Sequence, residues 1–418
     1  VIKIQLKFHG GAREVGRSCF SLESGGFSLM LDCGVKLREE DGCPLLPDHT
    51  DALILSHAHL DHSGMIPALH REKNPQIYAT DLTFELSHLL QRDSVKINKL
   101  RRQTHIYSNE DIDYMLGSEI NTPYEKKRKL TGEISFRLMD AGHIPGSSSI
   151  LLEIGGKRVF YTGDIKTTDT KLQKGASVPK ADILIMEATY GDRIHPDRKE
   201  MEREFLTLVE ETLDRGGNAI VPAFAVGRTQ EVLMILKDIP YPIYLDGMGQ
   251  KVTSIFLQYP QYIRDIDLLQ RVANNAIWVE NNSERNRAMS EPSVIVTTAG
   301  MVNGGPVMQY IHRLHFDKMS SILLTGYQVE GTNGRLLMEK GYVIDSFTNT
   351  RIPIKMQKHQ FDLSAHAGRH SLERIAKKVN PEEAFVVHGD PLPCKSLGEF
   401  LSGICEAHIP EIGDTIEL

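Results

Sequence analysis

Between positions 57 and 62 the sequence reads His57-Ala58-His59-Leu60-Asp61-His62, three imidazoles and one carboxylate within six residues. Those side chains are the ligands that borderline-soft zinc takes. The run follows the apolar stretch DALILS (51–56), so it occupies a loop at the end of a strand. A loop can turn all four groups toward one centre, whereas a helix would fan them around its axis. Single ligand candidates recur downstream, each after an apolar run or in a glycine-bounded turn: His143 in DAGHIPGS, Asp164 in YTGD and His388 in VVHGD.

These residues need a scaffold, and the sequence supplies one by alternating strand and helix patterns. IKIQLKF (2–8), CFSLES (19–24) and FSLMLD (27–32) read as strands, the last two joined by a Gly25-Gly26 turn. DALILS, then a helix through MIPALHRE, then QIYAT and the helix DLTFELSHLLQRD continue the alternation. SSILLEIGG and KRVFYTGD form a second hairpin at Gly155-Gly156, and ADILIMEATYGD adds a strand with polar residues at its C-terminal end. From about 190 a separate set of α/β units begins. A helix over 197–214 places Met201, Phe205, Leu208, Val209 and Leu213 on one face and stops at Gly216-Gly217, and NAIVPAF, PIYLD, SVIVTTA and SILLTG are strands. Polar motifs resume after 346. Ligand-like histidines on both sides of this stretch make sense if an insertion divides one site in sequence but not in space.

At 418 residues the chain can bury a substantial core without disulfides. No apolar run reaches the length of a membrane span, and no basic segment leads into an apolar one at the start, so a soluble, cytoplasmic protein with no membrane association is expected. Five cysteines without a CxxC pair fit a reducing compartment. The net charge of -7 argues against blanket attraction to nucleic acid, but not against a cleft floored by metal ions. Two local runs, Lys96, Lys99, Arg101, Arg102 and Lys126, Lys127, Arg128, Lys129, could track a phosphate backbone or simply be solvated.

The HxHxDH motif with the later His143, Asp164 and His388 resembles the metallo-β-lactamase superfamily, and within it the β-CASP nucleases. The resemblance implies an α/β fold: a metallo-β-lactamase αββα sandwich (residues 1–188 and 346–418) with an inserted α/β β-CASP domain (189–345). It also implies two zinc ions per chain, one held by His57, His59 and His143, the other by Asp61, His62 and His388, with Asp164 bridging. Asp32, in MLDCG, is similar to the family's first motif and would hydrogen-bond the first loop or the attacking water; alone, it could equally cap a turn before Gly34. Gly10-Gly11-Ala12 and Val15-Gly16-Arg17-Ser18 resemble the opening segment of archaeal and eukaryotic members, where glycines would let a turn pass close beneath the metals.

Two metals suit phosphodiester hydrolysis, and the leaving oxygen then needs a proton from a histidine that is not a ligand. By resemblance that residue is His366, in Asp362-Leu363-Ser364-Ala365-His366, with Glu187 of MEATYG as its hydrogen-bond partner; an ordinary strand-end acid is the plainer reading of Glu187. His195, in GDRIHPDR, resembles a family position that contacts substrate or braces the cleft. Phe224-Ala-Val-Gly227-Arg228-Thr229-Gln230-Glu231 starts a helix at a glycine, exposing amides that could face an anion, with Arg228 either structural or a phosphate contact. Ser364 is a further candidate for holding phosphate. Glycine-rich loops at 300–306 and 325–335 are expected to ring a cleft. His9, His49, His70, His88, His105, His312, His315 and His408 lack such company and read as surface or packing residues.

The activity implied is that of a zinc-dependent ribonuclease acting on single-stranded RNA, similar to archaeal cleavage and polyadenylation specificity factor-like enzymes without KH domains. Exonucleolytic 5′-to-3′ degradation is the leading expectation and endonucleolytic cleavage the alternative. A small-molecule metallo-hydrolase and an inactive scaffold of a processing complex are weaker readings, because the insertion and the Glu187, His366, His388 set oppose the first and the intact ligands the second. The resemblance also implies a homodimer, and GDTIEL (413–418) could close its own sheet or offer an edge to a second chain.

Overall fold

Along Ile4–Gly10 every second residue is buried, the period of a strand with one face on a core. That strand belongs to a computed structural model that describes residues 3–36, 41–101, 106–346 and 348–418. Ile2, Arg102 and His105, which figure in the expectations above, lie outside the described residues.

The chain divides into two compact units, the first comprising Val1–Asp169, Lys174–Ile194 and His366–Leu418, the second Thr170–Gln173 and His195–Ala365. Two seven-stranded sheets build the first unit. One runs in the order Thr415–Glu417, Ile4–Gly10, Cys19–Ser24, Phe27–Leu31, Ala52–Ile54, Gln76–Ala79, Glu119–Asn121. The other runs Glu406–His408, Glu383–Val387, Ile183–Glu187, Lys157–Tyr161, Ser148–Ile154, Ser135–Asp140, Arg128–Lys129. Leu6, Phe8, Phe20 and Leu31 of one meet Leu152, Val159, Ile183 and Phe385 of the other in one buried core. On its opposite face the first sheet packs Met30, Leu53 and Ile77 against helical Ile66, Leu69 and Ile112. The second sheet does the same with Leu184 and Val386 against Leu372, Ile375 and Leu397. Helix, sheet, sheet, helix is the layering expected from the sequence.

Besides the antiparallel pair Tyr342–Ile344 and Arg351–Pro353, a six-stranded parallel sheet builds the second unit, in the order Ile277–Trp278, Ile243–Asp246, Val294–Thr297, Ala219–Pro222, Ser321–Leu324, Gln357–Gln360. Its last strand explains where the unit ends. Ser321–Leu324 pairs in parallel with Gln357–Gln360, and the chain stays in this compact unit to Ala365. It also recruits Thr170–Gln173 from the first half, because the buried Glu231 carboxylate accepts the amides of Lys171 (3.0 Å) and Leu172 (2.7 Å). Three local expectations shift. The helix beginning at Asp81 continues to Arg101. Lys127 pairs with Glu153 and Arg128 donates to the Asn121 carbonyl, so half of that basic run serves the sheet. Thr415–Glu417 pairs antiparallel with Ile4–Gly10 and closes its own sheet, of which it forms the outer edge.

Candidate metal centre

The segment 57–62 follows the short strand Ala52–Ile54 and is not a loop throughout: Leu60–Ser63 form one helical turn with His59 at its N-cap, and backbone hydrogen bonds lay the segment across its neighbours. Cys33 donates to the His62 carbonyl (2.8 Å), Val35 to Leu60 (2.9 Å) and Ser18 to Asp61 (2.8 Å). Gly34 permits the approach, since a Cβ there would stand 1.8 Å from the Asp61 carbonyl oxygen. The opening glycines serve the far side of the site: the Gly11 carbonyl accepts the amide of His388 at 2.7 Å. Asp32 (φ 57°) and His388 (φ 46°) both sit in the left-handed region that non-glycine residues avoid, a local cost that clusters at working sites.

The ligand candidates converge in the first unit. His57 Nε2 and His143 Nε2 stand 3.4 and 3.6 Å from Asp164 Oδ2, and His59 Nδ1 lies 3.1 and 3.2 Å from those two nitrogens. On the other side of the same carboxylate, His62 Nε2 and His388 Nδ1 are 3.3 and 3.2 Å from Oδ1. Asp61 Oδ2 faces the second nitrogen of His388 at 3.3 Å and also groups with His57 and His62. The ligand atoms of a tetrahedral zinc site with bonds of about 2.0–2.1 Å are separated by roughly 3.3 Å, the spacing seen throughout. His62 Nε2 and Asp164 Oδ1 are buried with no hydrogen-bond partner, although folded proteins rarely leave such atoms unpaired. The donor set and these two orphaned atoms fit divalent cations.

Burial keeps His57 well below the usual imidazole range, in the neutral form a ligand requires. Burial also disfavours charge on His62, yet the Asp164 and Asp32 carboxylates outweigh it and hold that ring's pKa well above the usual range. The field at that position favours a positive charge, which a cation supplies as well as a proton.

Asp32 is fully buried. Its oxygens accept the Ser56 amide (2.6 Å), the Ser56 hydroxyl (2.7 Å), His62 Nδ1 (2.7 Å) and the Tyr161 hydroxyl (2.7 Å). It therefore orients His62 so that Nε2 points at Asp164, and it does not cap its own turn. Sequence reasoning passed over Ser56 and Tyr161, which look like strand residues. The only signal for Tyr161 is its place three residues before Asp164. Burial and the neighbouring Asp32 push its phenol well above its ordinary pKa, so it remains a donor.

Glu187 and His366 meet as the resemblance implied. His366 Nδ1 lies 3.0 and 3.2 Å from the Glu187 oxygens, and its Nε2 stands 3.8 Å from Asp164 Oδ2. Burial opposes charge on this ring, but Glu187 and Asp164 raise its pKa to about 9. The segment after Asp164 clamps the pair: Ile165 donates to Glu187 (2.7 Å) and accepts from Ala367 (2.7 Å), and Lys166 Nζ donates to the His366 carbonyl (3.1 Å).

The remaining candidates belong to the second unit. His195 Nδ1 pairs with Asp362 (2.7 Å), and Asp362 also accepts the Ser364 amide (3.2 Å). Three amides at the start of the helix Arg228–Ile235 have partners within the unit. Gly227 donates to the Gln230 side chain (2.9 Å), Arg228 to Val226 (3.0 Å) and Thr229 to Phe224 (3.1 Å). Gln230 further donates to Ala225, Gly249 and Thr253, and Glu231 pairs with Arg198 (2.6 Å), so the motif ties the unit together.

Three family models match in succession: the metallo-beta-lactamase superfamily over residues 12–176, a Beta-Casp domain over 229–337 and a Zn-dependent metallo-hydrolase RNA specificity domain over 351–408. A probable RNase, MJ4, of Methanocaldococcus jannaschii is 39% identical over 99% of this chain and 100% of its own. The chain belongs to the β-CASP family of the metallo-β-lactamase superfamily. Other β-CASP relatives include the RNase aCSPSF2 of Saccharolobus solfataricus, 35% identical over 99% of this chain and 85% of that one. A transcription termination factor, FttA, of M. jannaschii is 34% identical over 95% and 68%. A solved Enterococcus faecalis V583 protein of unknown function shares the fold with a TM-score of 0.61 at 18% identity, each chain being covered in full. Within the family models, His57 to His62, His143 and Asp164 fall in the first match, whereas His366 and His388 fall in the last.

Proposed function

We propose that this chain is a zinc-dependent ribonuclease that hydrolyses phosphodiester bonds of single-stranded RNA, and that it degrades from a free 5′ end. The observation that carries the reading is the buried Glu187–His366 pair set against the double ligand group around Asp164. A metallo-hydrolase of small substrates needs the ligands alone; the added proton donor suits a leaving alkoxide. Relatives named as RNases across nearly the whole chain support the same substrate class.

His57, His59 and His143 would hold one ion and Asp61, His62 and His388 the second, with one oxygen of Asp164 turned to each group. Zinc held there supplies Lewis acidity, making water a competent nucleophile at neutral pH and neutralising charge that builds on the phosphoryl oxygens. The chain does the rest. Asp32 and Tyr161 fix the His62 ring. Glu187 accepts a hydrogen bond from His366 Nδ1–H, which leaves Nε2–H to deliver its proton to the departing oxygen. In the second unit, His195, Asp362 and Ser364 form a polar group suited to hold an RNA phosphate or sugar.

Linear RNA with a 5′ monophosphate, labelled at either end, tests activity and mode together. Progressive shortening of the 3′-labelled strand, early mononucleotide from the 5′-labelled one and resistance of a circular RNA are expected. Cutting of the circle would replace the exonuclease reading with an endonuclease, and turnover of thioesters but not RNA would remove both. We read the chain as a homodimer, supported by the outer position of Thr415–Glu417 in its sheet; a monomer mass by light scattering would refute it.

A further inference from the structure

At the far edge of the second sheet of the first unit, Glu383 and Glu406 are direct partners in the parallel pairing of Glu383–Val387 with Glu406–His408. Residues in register, and residues two apart on one strand, share a face of a sheet, so His408 joins them. Its own register partner is the buried Phe385, and the two rings stack at 4.7 Å with an interplanar angle of 11°. The stack fixes the imidazole plane and aims one edge at the two carboxylates.

His408 Nε2 lies 2.9 Å from a Glu383 oxygen and 3.7 Å from a Glu406 oxygen. It is nevertheless shielded from solvent and without a hydrogen-bond partner, because the Glu383 oxygen is out of line with the ring nitrogen and the Glu406 oxygen is beyond hydrogen-bond reach. An ion pair between imidazolium and carboxylate would align N–H with O. Ligands of one cation behave differently: they stand roughly 3.3 Å apart along the edges of a coordination polyhedron, each lone pair directed at the centre and none at its neighbour. The distances of 2.9 and 3.7 Å bracket that spacing. The same signature marks the metal centre described above, where His62 Nε2 is 3.3 Å from Asp164 Oδ1 and neither atom is hydrogen-bonded. Two carboxylates placed side by side across a strand pair also repel unless positive charge lies between them.

We infer that Glu383, Glu406 and His408 form a separate site for a divalent transition-metal cation, zinc by ligand type, that fastens the edge strand Glu406–His408 to its sheet. One imidazole and two carboxylates supply three ligands, and the solvent-exposed side of Glu406 leaves room for water to complete the shell. The role is structural, and the catalytic chemistry does not depend on it.

The test counts zinc bound to the full chain after dialysis against micromolar free metal, comparing the wild type with Glu406→Gln and His408→Ala. Wild type is expected to hold one ion more than either variant, with RNA cleavage unchanged in both. Glu406 is largely exposed, so its substitution removes a ligand without endangering the fold. Equal counts in all three proteins would overturn the site and leave an ordinary ion pair. If wild type holds one ion and both variants none, this site stands and the reading of the catalytic centre fails.

Discussion

Both units carry a dense polar motif immediately after a parallel strand, yet the two motifs use their polar atoms in opposite ways. In the first unit, HAHLDH at 57–62 leaves its ring nitrogens facing carboxylates and one another, with His62 Nε2 and Asp164 Oδ1 buried and unbonded. In the second, Gln230 and Glu231 of GRTQE (227–231) spend their groups locally: Gln230 bonds four partners and Glu231 clasps two amides and Arg198. A protein leaves buried polar atoms unsatisfied at a cost of about 1–3 kcal/mol each. Where it does so in a cluster, something outside the chain is meant to satisfy them. Where the groups are paired, as at Gln230 and Glu231, they act as scaffold.

Substitutions that separate the two cases should differ in kind. The largest loss is expected from Asp164→Asn, since one carboxylate faces both ligand groups: metal content should fall at both positions and cleavage drop to background. Elemental analysis alongside an RNA assay checks it, and retention of both ions would break the contrast.

His366→Ala should lower cleavage by about 100-fold or more with metal content and melting temperature nearly unchanged, the usual scale for a positioned proton donor. Normal turnover in that variant would remove the role. Glu187→Gln acts on the same proton. The carboxylate raises the His366 pKa, so its neutralisation should move the alkaline fall in activity to lower pH, and a pH profile reads the shift directly.

Tyr161→Phe deletes one of four hydrogen bonds to Asp32. Partners that orient metal ligands are typically worth about 10–100-fold in affinity or activity, so a chelator competition should show zinc leaving the variant at lower chelator concentration. Wild-type retention would reduce Tyr161 to packing. The smallest effect on catalysis belongs to the second unit. Glu231→Gln should cost about 1–3 kcal/mol of stability, measured by denaturant unfolding, while cleavage below the melting transition stays near wild type. A large catalytic defect there, with stability intact, would mean that this motif is not merely scaffold.

Much of the fold was legible because strand and helix periods are local properties. NAIVPAF, PIYLD, SVIVTTA and SILLTG all became neighbours in one parallel sheet. The edge strand Gln357–Gln360 was not legible, because nothing in QKHQ has the apolar texture of a buried strand. Its place is set by hydrogen bonding to Ser321–Leu324. The surroundings of Arg228 were not legible for a related reason: a glycine before a helix shows that amides begin there, but not which groups they bond.

The sequence by itself determined the ligand types, their strand-end loops and the resemblance that paired Glu187 with His366, since identity and spacing survive in one dimension. Only the tertiary structure decided that Tyr161 reaches Asp32 across 129 positions, that Asp164 turns one oxygen to each histidine group, and that His408 faces Glu383 and Glu406. Strand pairing and sheet stacking make those contacts. Whether a buried polar atom is satisfied depends on distances and angles that no residue carries in its name.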